Sequence, residues 1–283
     1  MWLFLMLFSL IFFAGIEIFY KIYTEKNPHV SANATSLVTN FFMIFWAIPF
    51  VFFAKSSFEL SNVPWPLLIG DNLMFVAGVA LYYESYKVIP ASIGTILGTS
   101  SVLITTFLGI LFFHESVTLS KFAGIALILL AIALVNFEKS KPHIRGYLYA
   151  FFGGMVFGLA YMIDKYIVSG YKFDVDHFQL INPLIAIPLK AMLQPFSIVK
   201  EIKKIKKNSL IFSIAAALCI ILAYKLTYTA YTLGAEVGKA DAINNLAIFV
   251  IIAAEMIFLK DRRNIGRKLI SAGLAIGGIW LLR

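Results

Sequence analysis

The 283-residue sequence predicts an all-α integral membrane protein, with ten transmembrane helices in two inverted five-helix repeats. Composition is the first observation behind this reading. Hydrophobic residues make up 60% of the chain and charged residues 14%, with a mean hydropathy of +0.86, whereas a soluble domain is roughly 25% charged. The second is a succession of apolar runs of about 20 residues, the length that crosses a hydrocarbon core of about 30 Å as a helix. The third is internal repetition. Ala91 to Glu115 lies over Val237 to Asp261 at an offset of 146 residues (237 minus 91), with apolar, small and acidic positions largely in step. The match resumes with Lys121 to Ile132 over Lys268 to Ile279, and Gly15 to Ile22 lies over Leu159 to Tyr166, setting Lys21 against Lys165. Residues 1–140 and 141–283 thus read as two copies of one unit. Each copy holds five spans, an odd number, so the copies must enter the membrane in opposite directions.

The spans of the first copy are predicted at Met1–Tyr20, Ser36–Phe53, Leu67–Tyr86, Ala91–Phe113 and Leu119–Phe137. Those of the second fall at Gly146–Val168, Phe178–Phe196, Leu210–Leu233, Ala240–Leu259 and Ile265–Leu282. The first run opens at Trp2 without a basic segment ahead of it and without a small-residue cleavage site, so it reads as a retained helix rather than a removable signal peptide. Pro28, Pro64, Pro90 and Pro142 stand at or beside span boundaries, where a missing N–H costs least. Pro183 and Pro188 stand inside the seventh span and predict a kink there. Gly94 and Gly98, Gly154 and Gly158, and Gly273 and Gly277 each recur at four-residue spacing, which lets membrane helices approach closely.

The net charge of +9 does not point to nucleic acid, because the Lys and Arg residues sit in loops between apolar spans and form no groove-reading pattern. Loops after odd-numbered spans, with Lys190 counted among them, hold 17 Lys and Arg, against 6 on the opposite side. The positive-inside rule therefore places the odd loops in the cytoplasm and both termini outside. Cys219 is the only cysteine, which rules out an intrachain disulfide and marks it as a small packing residue. His29, His114, His143 and His177 fall in loops or at span ends, scattered and solvated, so neither a metal nor another cofactor is expected.

Polar residues inside apolar spans carry the functional argument, since a charge at mid-membrane costs about 2.5–3.5 kcal/mol on insertion scales. In the eighth span Lys225, Tyr228, Thr229 and Thr232 share an arc that Tyr224 and Tyr231 widen, with Cys219, Leu226, Ala230 and Leu233 opposite. In the ninth, Asp241, Asn244, Asn245, Ile248, Ile252 and Glu255 share a face. Its repeat partner, the fourth, sets Ser92, Thr95, Gly98, Thr99, Val102, Thr106 and Gly109 on the corresponding face. Tyr161, the repeat counterpart of Glu17, shares a face with Gly154, Gly158 and Lys165. These stripes make Lys225, Tyr228, Thr229, Asn244, Asn245, Thr95, Thr99 and Tyr161 candidate substrate-binding residues. Depth along the spans pairs Lys225 with Asp71 or Asp241. Glu17 and Glu255 lie toward the other face. Glu17 is either the i, i+4 partner of Lys21 or, like Glu255, an acid that exchanges protons as its surroundings alternate between dry and wet.

Gly15-Ile16-Glu17-Ile18-Phe19 in the first span, Lys21 and Lys165 ending the first helix of each repeat, and a Glu115-Ser-Val-Thr-Leu link into a Gly124-containing helix carry a resemblance. Together with ten spans in two inverted repeats, they resemble the ten-helix EamA-type branch of the drug/metabolite transporter superfamily over nearly the whole chain. The resemblance implies one integrated transport unit in the cell membrane that exports or exchanges a small metabolite by alternating access. It also implies cytoplasmic termini, opposite to the charge count, and a neutral polar residue where Glu17 stands.

The buried lysine favours a carboxylate-bearing substrate such as an amino acid or organic anion. Two other classes compete with a transporter. One is a non-transporting membrane scaffold, which has no need of two repeat-related polar stripes. The other is a lipid-active membrane enzyme, which needs a nucleophile–base pair or metal-ligand spacing near an interface, and neither is present in the sequence. No phosphate-cradling glycine loop occurs, so the energy source expected is an ion or substrate gradient. The partners expected are the lipid bilayer and a small molecule, with no nucleic acid.

Overall fold

The computed structural model describes residues 1–54, 62–113, 118–136, 143–193, 196–258 and 265–281, and among them every regular element is a helix. In the first half these are α1 (Trp2–Lys26), α2 (Ala32–Phe52), α3 (Trp65–Ser85), α4 (Ala91–Gly98), α5 (Ser100–Phe113) and α6 (Leu119–Asn136). In the second they are α7 (Ile144–Lys165), α8 (Val175–Leu193), a short α9 (Ile198–Ile202), α10 (Leu210–Thr232), α11 (Val237–Asn245), α12 (Ala247–Phe258) and α13 (Ile265–Leu281). Seven described helical stretches are long and apolar enough to cross a membrane, with α4–α5 and α11–α12 each counted as one. The helices α6, α8 and α13 stand at the sequence positions of the other three expected spans.

The surface is that of a protein dissolved in lipid. Phe4, Phe8 and Ile11 of α1 and Phe41, Phe45 and Phe52 of α2 are exposed, an arrangement that water would penalise at roughly 25 cal/mol per Å² and hydrocarbon does not. The buried positions include many hydroxyl and amide residues, because without a hydrophobic drive between helices their association rests on close packing and interhelical hydrogen bonds. The Ser9 hydroxyl on α1 lies 2.9 Å from that of Thr227 on α10, and the Thr39 hydroxyl on α2 lies 2.9 Å from that of Ser213.

Helix boundaries depart from the sequence reading where tertiary contacts extend a helix. The first helix continues past Tyr20 to Lys26 because Tyr23 and Thr24 are buried rather than in a loop. Within it, Lys21 lies five residues before the end. Its Nζ donates to the carbonyls of Tyr86 and Ile89, at 2.6 and 2.9 Å, and so closes the C-terminal end of α3. α2 begins at Ala32, with the Ser31 hydroxyl accepting from the Ala34 N–H at 3.2 Å. α7 continues through a π-helical turn at Tyr166–Gly170, and Pro183 and Pro188 lie within α8.

The fourth and ninth spans, read from sequence as continuous, each tighten locally at one residue. α4 ends at Gly98 and α5 begins at Ser100, while α11 ends at Asn245 and α12 begins at Ala247. At both points the backbone takes i, i+3 bonds, Val102 N–H to Thr99 and Leu246 N–H to Ile243. Side chains take carbonyls there as well, with the Thr99 hydroxyl donating to Ile96 at 2.6 Å and the Asn245 amide donating to Asp241 at 2.8 Å. The residues between the paired helices, Thr99 and Leu246, lie within one position of each other at the 146-residue offset.

Helix pairing follows the same register. α1 packs on α10 as α7 packs on α3, α2 packs on α8, and α6 packs on α13. All four sequence-predicted glycines in the first two pairs make close approaches, Gly94 among them with a Cβ that would lie 2.5 Å from the Tyr86 ring. A Cβ at Gly154 would lie 2.7 Å from the Gly98 carbonyl oxygen, one at Gly158 2.7 Å from that of Ser101, and one at Gly98 2.8 Å from the Tyr82 ring. Gly273 does not behave this way. It has open space around it, and the α6–α13 approach runs instead through Gly278, whose Cβ would lie 2.6 Å from the Gly124 carbonyl oxygen. Cys219 packs on Gly15, where a Cβ would lie 2.8 Å from the sulfur.

Candidate functional site

A central cavity with an empty volume of about 1440 Å³, its open mouth included, lies between the two halves. From the first half α1, α2, α3, α4 and α5 contribute to its wall, and from the second α7, α8, α10, α11 and α12. α6 and α13 pack on each other and supply no lining residue. Several lining residues are repeat counterparts: Glu17 with Tyr161, Tyr20 with Asp164, Thr95 with Asp241, Gly98 with Asn244, and Ser101 with Ala247.

Among the candidates named from sequence, Tyr228, Asn244, Asn245, Thr95, Tyr161, Glu17 and Asp241 line this cavity. Thr99 does not, and its hydroxyl donates to the Ile96 carbonyl of its own helix. Lys225 and Thr229 are also outside the lining, and the reason is rotational. The cavity-facing residues of α10 are Ile220, Ile221, Tyr224, Thr227, Tyr228 and Tyr231. At about 100° per residue their mean direction is near Tyr224, which leaves Lys225 and Thr229 about 100° or more away.

The pairing expected for Lys225 is corrected. Its Nζ bonds the Asp176 carboxylate at the start of α8 and lies 5.0 Å from the centre of the Phe50 ring. Asp241 is engaged elsewhere, accepting from Ser101 and Thr105 at 3.1 Å each and from the Asn245 side chain at 2.9 Å. This cluster ties α11 to α5 of the other half. Asp71 faces Asp164 of α7 across the interface, and both are fully buried. Glu255 lies on α12, but its side chain is outside the described residues.

The Lys225–Asp176 assignment predicts a double-mutant cycle. Lys225→Met and Asp176→Asn should each lower the melting temperature in detergent. Together they should cost less than the sum, with a coupling on the order of 1 kcal/mol for a partly buried pair. Additive losses would place the stabilising partner of Lys225 elsewhere.

Glu17 is not the partner of Lys21. Lys21 turns toward α3 and pairs with Glu25 at 3.1 Å, while Glu17 projects into the cavity with its Oε2 buried and accepting no hydrogen bond. Tyr20, Tyr82, Tyr83 and Tyr161 stand around it. The aromatic wall continues from there. The Tyr20 and Tyr83 rings stack with centroids 4.0 Å apart, Phe157 and Tyr161 stack at 6.3 Å, and Tyr224 meets Tyr161 at 6.5 Å and Tyr228 at 5.4 Å.

Several lining residues were not singled out in the sequence. Asp164 follows Tyr161 by three positions on the same helical face, a signal that was present. Lys190, counted there with the cytoplasmic loops, is buried in α8 and lines the cavity. In the orientation that satisfies its hydrogen bonds, the Asn40 side chain accepts from Lys190 Nζ at 3.1 Å and donates to the Ser36 carbonyl at 3.2 Å. Asn72 donates to Asn182 at 2.9 Å, and Gln179 donates to the Ile221 carbonyl at 2.7 Å. His177, expected in solvent, is buried at the start of α8 with its Nδ1 2.8 Å from Asp174.

At the end of the molecule where α1 joins α2, polar contacts lock the halves together. The Ser31 N–H donates to Glu201 at 2.8 Å, the Asn33 amide to the Lys190 carbonyl at 2.9 Å, and the Asn27 amide to the Ser209 hydroxyl at 2.9 Å.

Comparison with known proteins agrees with this architecture. One solved crystal structure superposes with a TM-score of 0.67 at 11% identity, covering 96% of this chain and 95% of the other, which establishes a shared fold. No curated protein matches the sequence. Residues 1–137 match the EamA-like transporter family. The chain is thus a multi-pass integral membrane protein whose residues 1–137 are similar to the EamA-like transporter family.

Proposed function

We propose that this protein is a secondary transporter that moves a small polar metabolite across the cell membrane by alternating access. In this reading two inverted five-helix halves rock about the central cavity, with both termini outside and the odd loops in the cytoplasm. The observation that carries it is the cavity wall itself, supplied by both halves and in good part by repeat-related residues. The paired packing of α1 on α10 and α7 on α3 supports the internal pseudo-symmetry. The network joining Asn27, Ser31 and Asn33 to the second half is the natural closed gate of one state, and its rupture would open that side.

Glu17 is the coupling acid in this reading, together with Glu255. A carboxyl that meets water from one side and then the other can take up a proton on one side and release it on the other. The argument for an anionic substrate is withdrawn, because it rested on Lys225, which Asp176 neutralises outside the cavity.

Reconstitution tests the transport reading. Proteoliposomes loaded with a mixture of amines, amino acids, organic acids, nucleosides and sugars should show saturable counterflow of at least one labelled class. Thr95→Trp, which fills the cavity from α4, should abolish it. Counterflow no greater than in protein-free liposomes for every class would remove the transporter reading in favour of a membrane scaffold.

A further inference from the structure

The polar atoms of the cavity that lack partners are of one kind. Glu17 Oε2, Gln179 Oε1 and Asn244 Oδ1 are buried oxygens that accept no hydrogen bond, while each of the latter two amides gives one N–H to the protein, Gln179 to the Ile221 carbonyl at 2.7 Å and Asn244 to Thr227 at 3.5 Å. A buried acceptor left without a donor costs on the order of 1–3 kcal/mol, so a ligand that fills this space gains most by bringing N–H groups. The charges point the same way. Asp241 is saturated by three donors from the protein, and Lys190 is turned onto Asn40. What is left facing the cavity is Glu17 at one end and Asp164, backed by Asp71, toward the other. The wall between them is aromatic, with Tyr20, Tyr83 and Tyr161 around Glu17. Faces of tyrosine rings attract cations, by about 2 kcal/mol or more when the site is dry, and they offer nothing comparable to a carboxylate.

We infer that the cavity selects an organic ammonium ion, a protonated amine on an apolar or aromatic body, with Glu17 as its counter-ion and Gln179 and Asn244 as acceptors for its N–H groups. The inference rests on the transporter reading above for its physiological meaning, but the binding chemistry stands on the cavity alone. Lys190 does not argue against it, since an amine without a carboxylate needs nothing from that lysine. A zwitterionic amino acid would also need its carboxylate to reach Lys190, whose Nζ already holds Asn40 at 3.1 Å.

Four probes of nearly equal shape separate the possibilities: 2-phenylethylammonium, L-phenylalanine, 3-phenylpropanoate and 2-phenylethanol. Calorimetric titration into the purified full chain in detergent at neutral pH should give saturable binding of the amine at least about tenfold tighter than each of the others. Glu17→Gln should weaken the amine roughly tenfold or more and leave 2-phenylethanol unchanged. Tightest binding of phenylalanine or phenylpropanoate, or no saturable binding of the amine, overturns the inference. The comparison among probes on the unaltered protein does so even if Glu17→Gln proves unstable. Flux of the same probes in proteoliposomes separates the two readings. Selective amine binding without flux of any probe sinks the transporter and leaves the cation site, whereas saturable flux of an anion without amine binding does the reverse.

Discussion

Glu17→Gln is expected to abolish uphill transport driven by a pH gradient while leaving exchange between two equal substrate pools running once substrate is raised enough to offset its weaker binding. The substitution keeps the shape and a hydrogen-bonding side chain at the middle of α1 but removes the one group there that can carry a proton. Glu17 suits the role because it stands in the cavity, its Oε2 takes no hydrogen bond, and Lys21, four residues on, is committed to the end of α3 and to Glu25. Net accumulation requires the carboxyl to be loaded on one side and emptied on the other. Exchange needs no net proton movement and so survives. Proteoliposomes with an imposed pH gradient measure the first, and counterflow without one measures the second. Glu255→Gln, alone and combined with Glu17→Gln, completes the set. Full gradient-driven accumulation in both single variants and the double variant would remove proton coupling through these residues. Glu17 would then keep only its place as a polar group of the cavity wall.

The second large effect is on stability, and it changes sign between glycines that look alike in sequence. Gly154→Ala should lower stability in detergent by several kcal/mol. Its Cβ would lie 2.5 Å from the Ser100 hydroxyl and 2.7 Å from the Gly98 carbonyl oxygen, and a backbone oxygen cannot turn aside as a flexible side chain can. Gly158→Ala should behave the same way, since its Cβ would lie 2.7 Å from the Ser101 carbonyl oxygen. Overpacking of this kind costs typically 1–3 kcal/mol per site. Here both sites force α7 away from the junction of α4 and α5, on which the cavity wall depends. Gly273→Ala, in open space on α13, should be neutral or stabilising by up to about 1 kcal/mol, the difference in helix propensity. Melting temperatures of the three variants in one detergent decide the matter. Equal losses at all three positions would mean that the close approach of α7 to α4 and α5 is wrong.

Much of the architecture was legible before any coordinates. Apolar runs of the right length, the offset repetition and the polar stripes are properties of the chain read along itself, and every helix but the short α9 falls where those runs lie. Tyr161, Tyr228, Thr95, Asn244 and Asn245 could be named because a residue's angle about its own helix follows from its number at about 100° per step. The neighbours facing that angle do not follow from it. Lys225 reads as the charge of the cavity until α8 brings Asp176 to it. Lys190 reads as a loop cation until α2 and α8 close over it beside Asn40. Gly273 and Gly154 occupy the same motif, yet only the packing of one helix on another decides which of them touches backbone. The local tightenings beside Thr99 and Asn245 escaped notice because each flanking helix is apolar and periodic in the ordinary way. They exist because side chains from Thr99 and Asn245, with Asp241 held by Ser101 and Thr105, claim hydrogen bonds that a straight helix would otherwise keep. The sequence by itself thus determined which segments form apolar helices and which of their faces are polar, since hydropathy and helical pitch are local. The tertiary structure alone decided which polar faces meet water, which meet one another and which are left with unanswered acceptors, since those depend on residues 49 or 140 positions away.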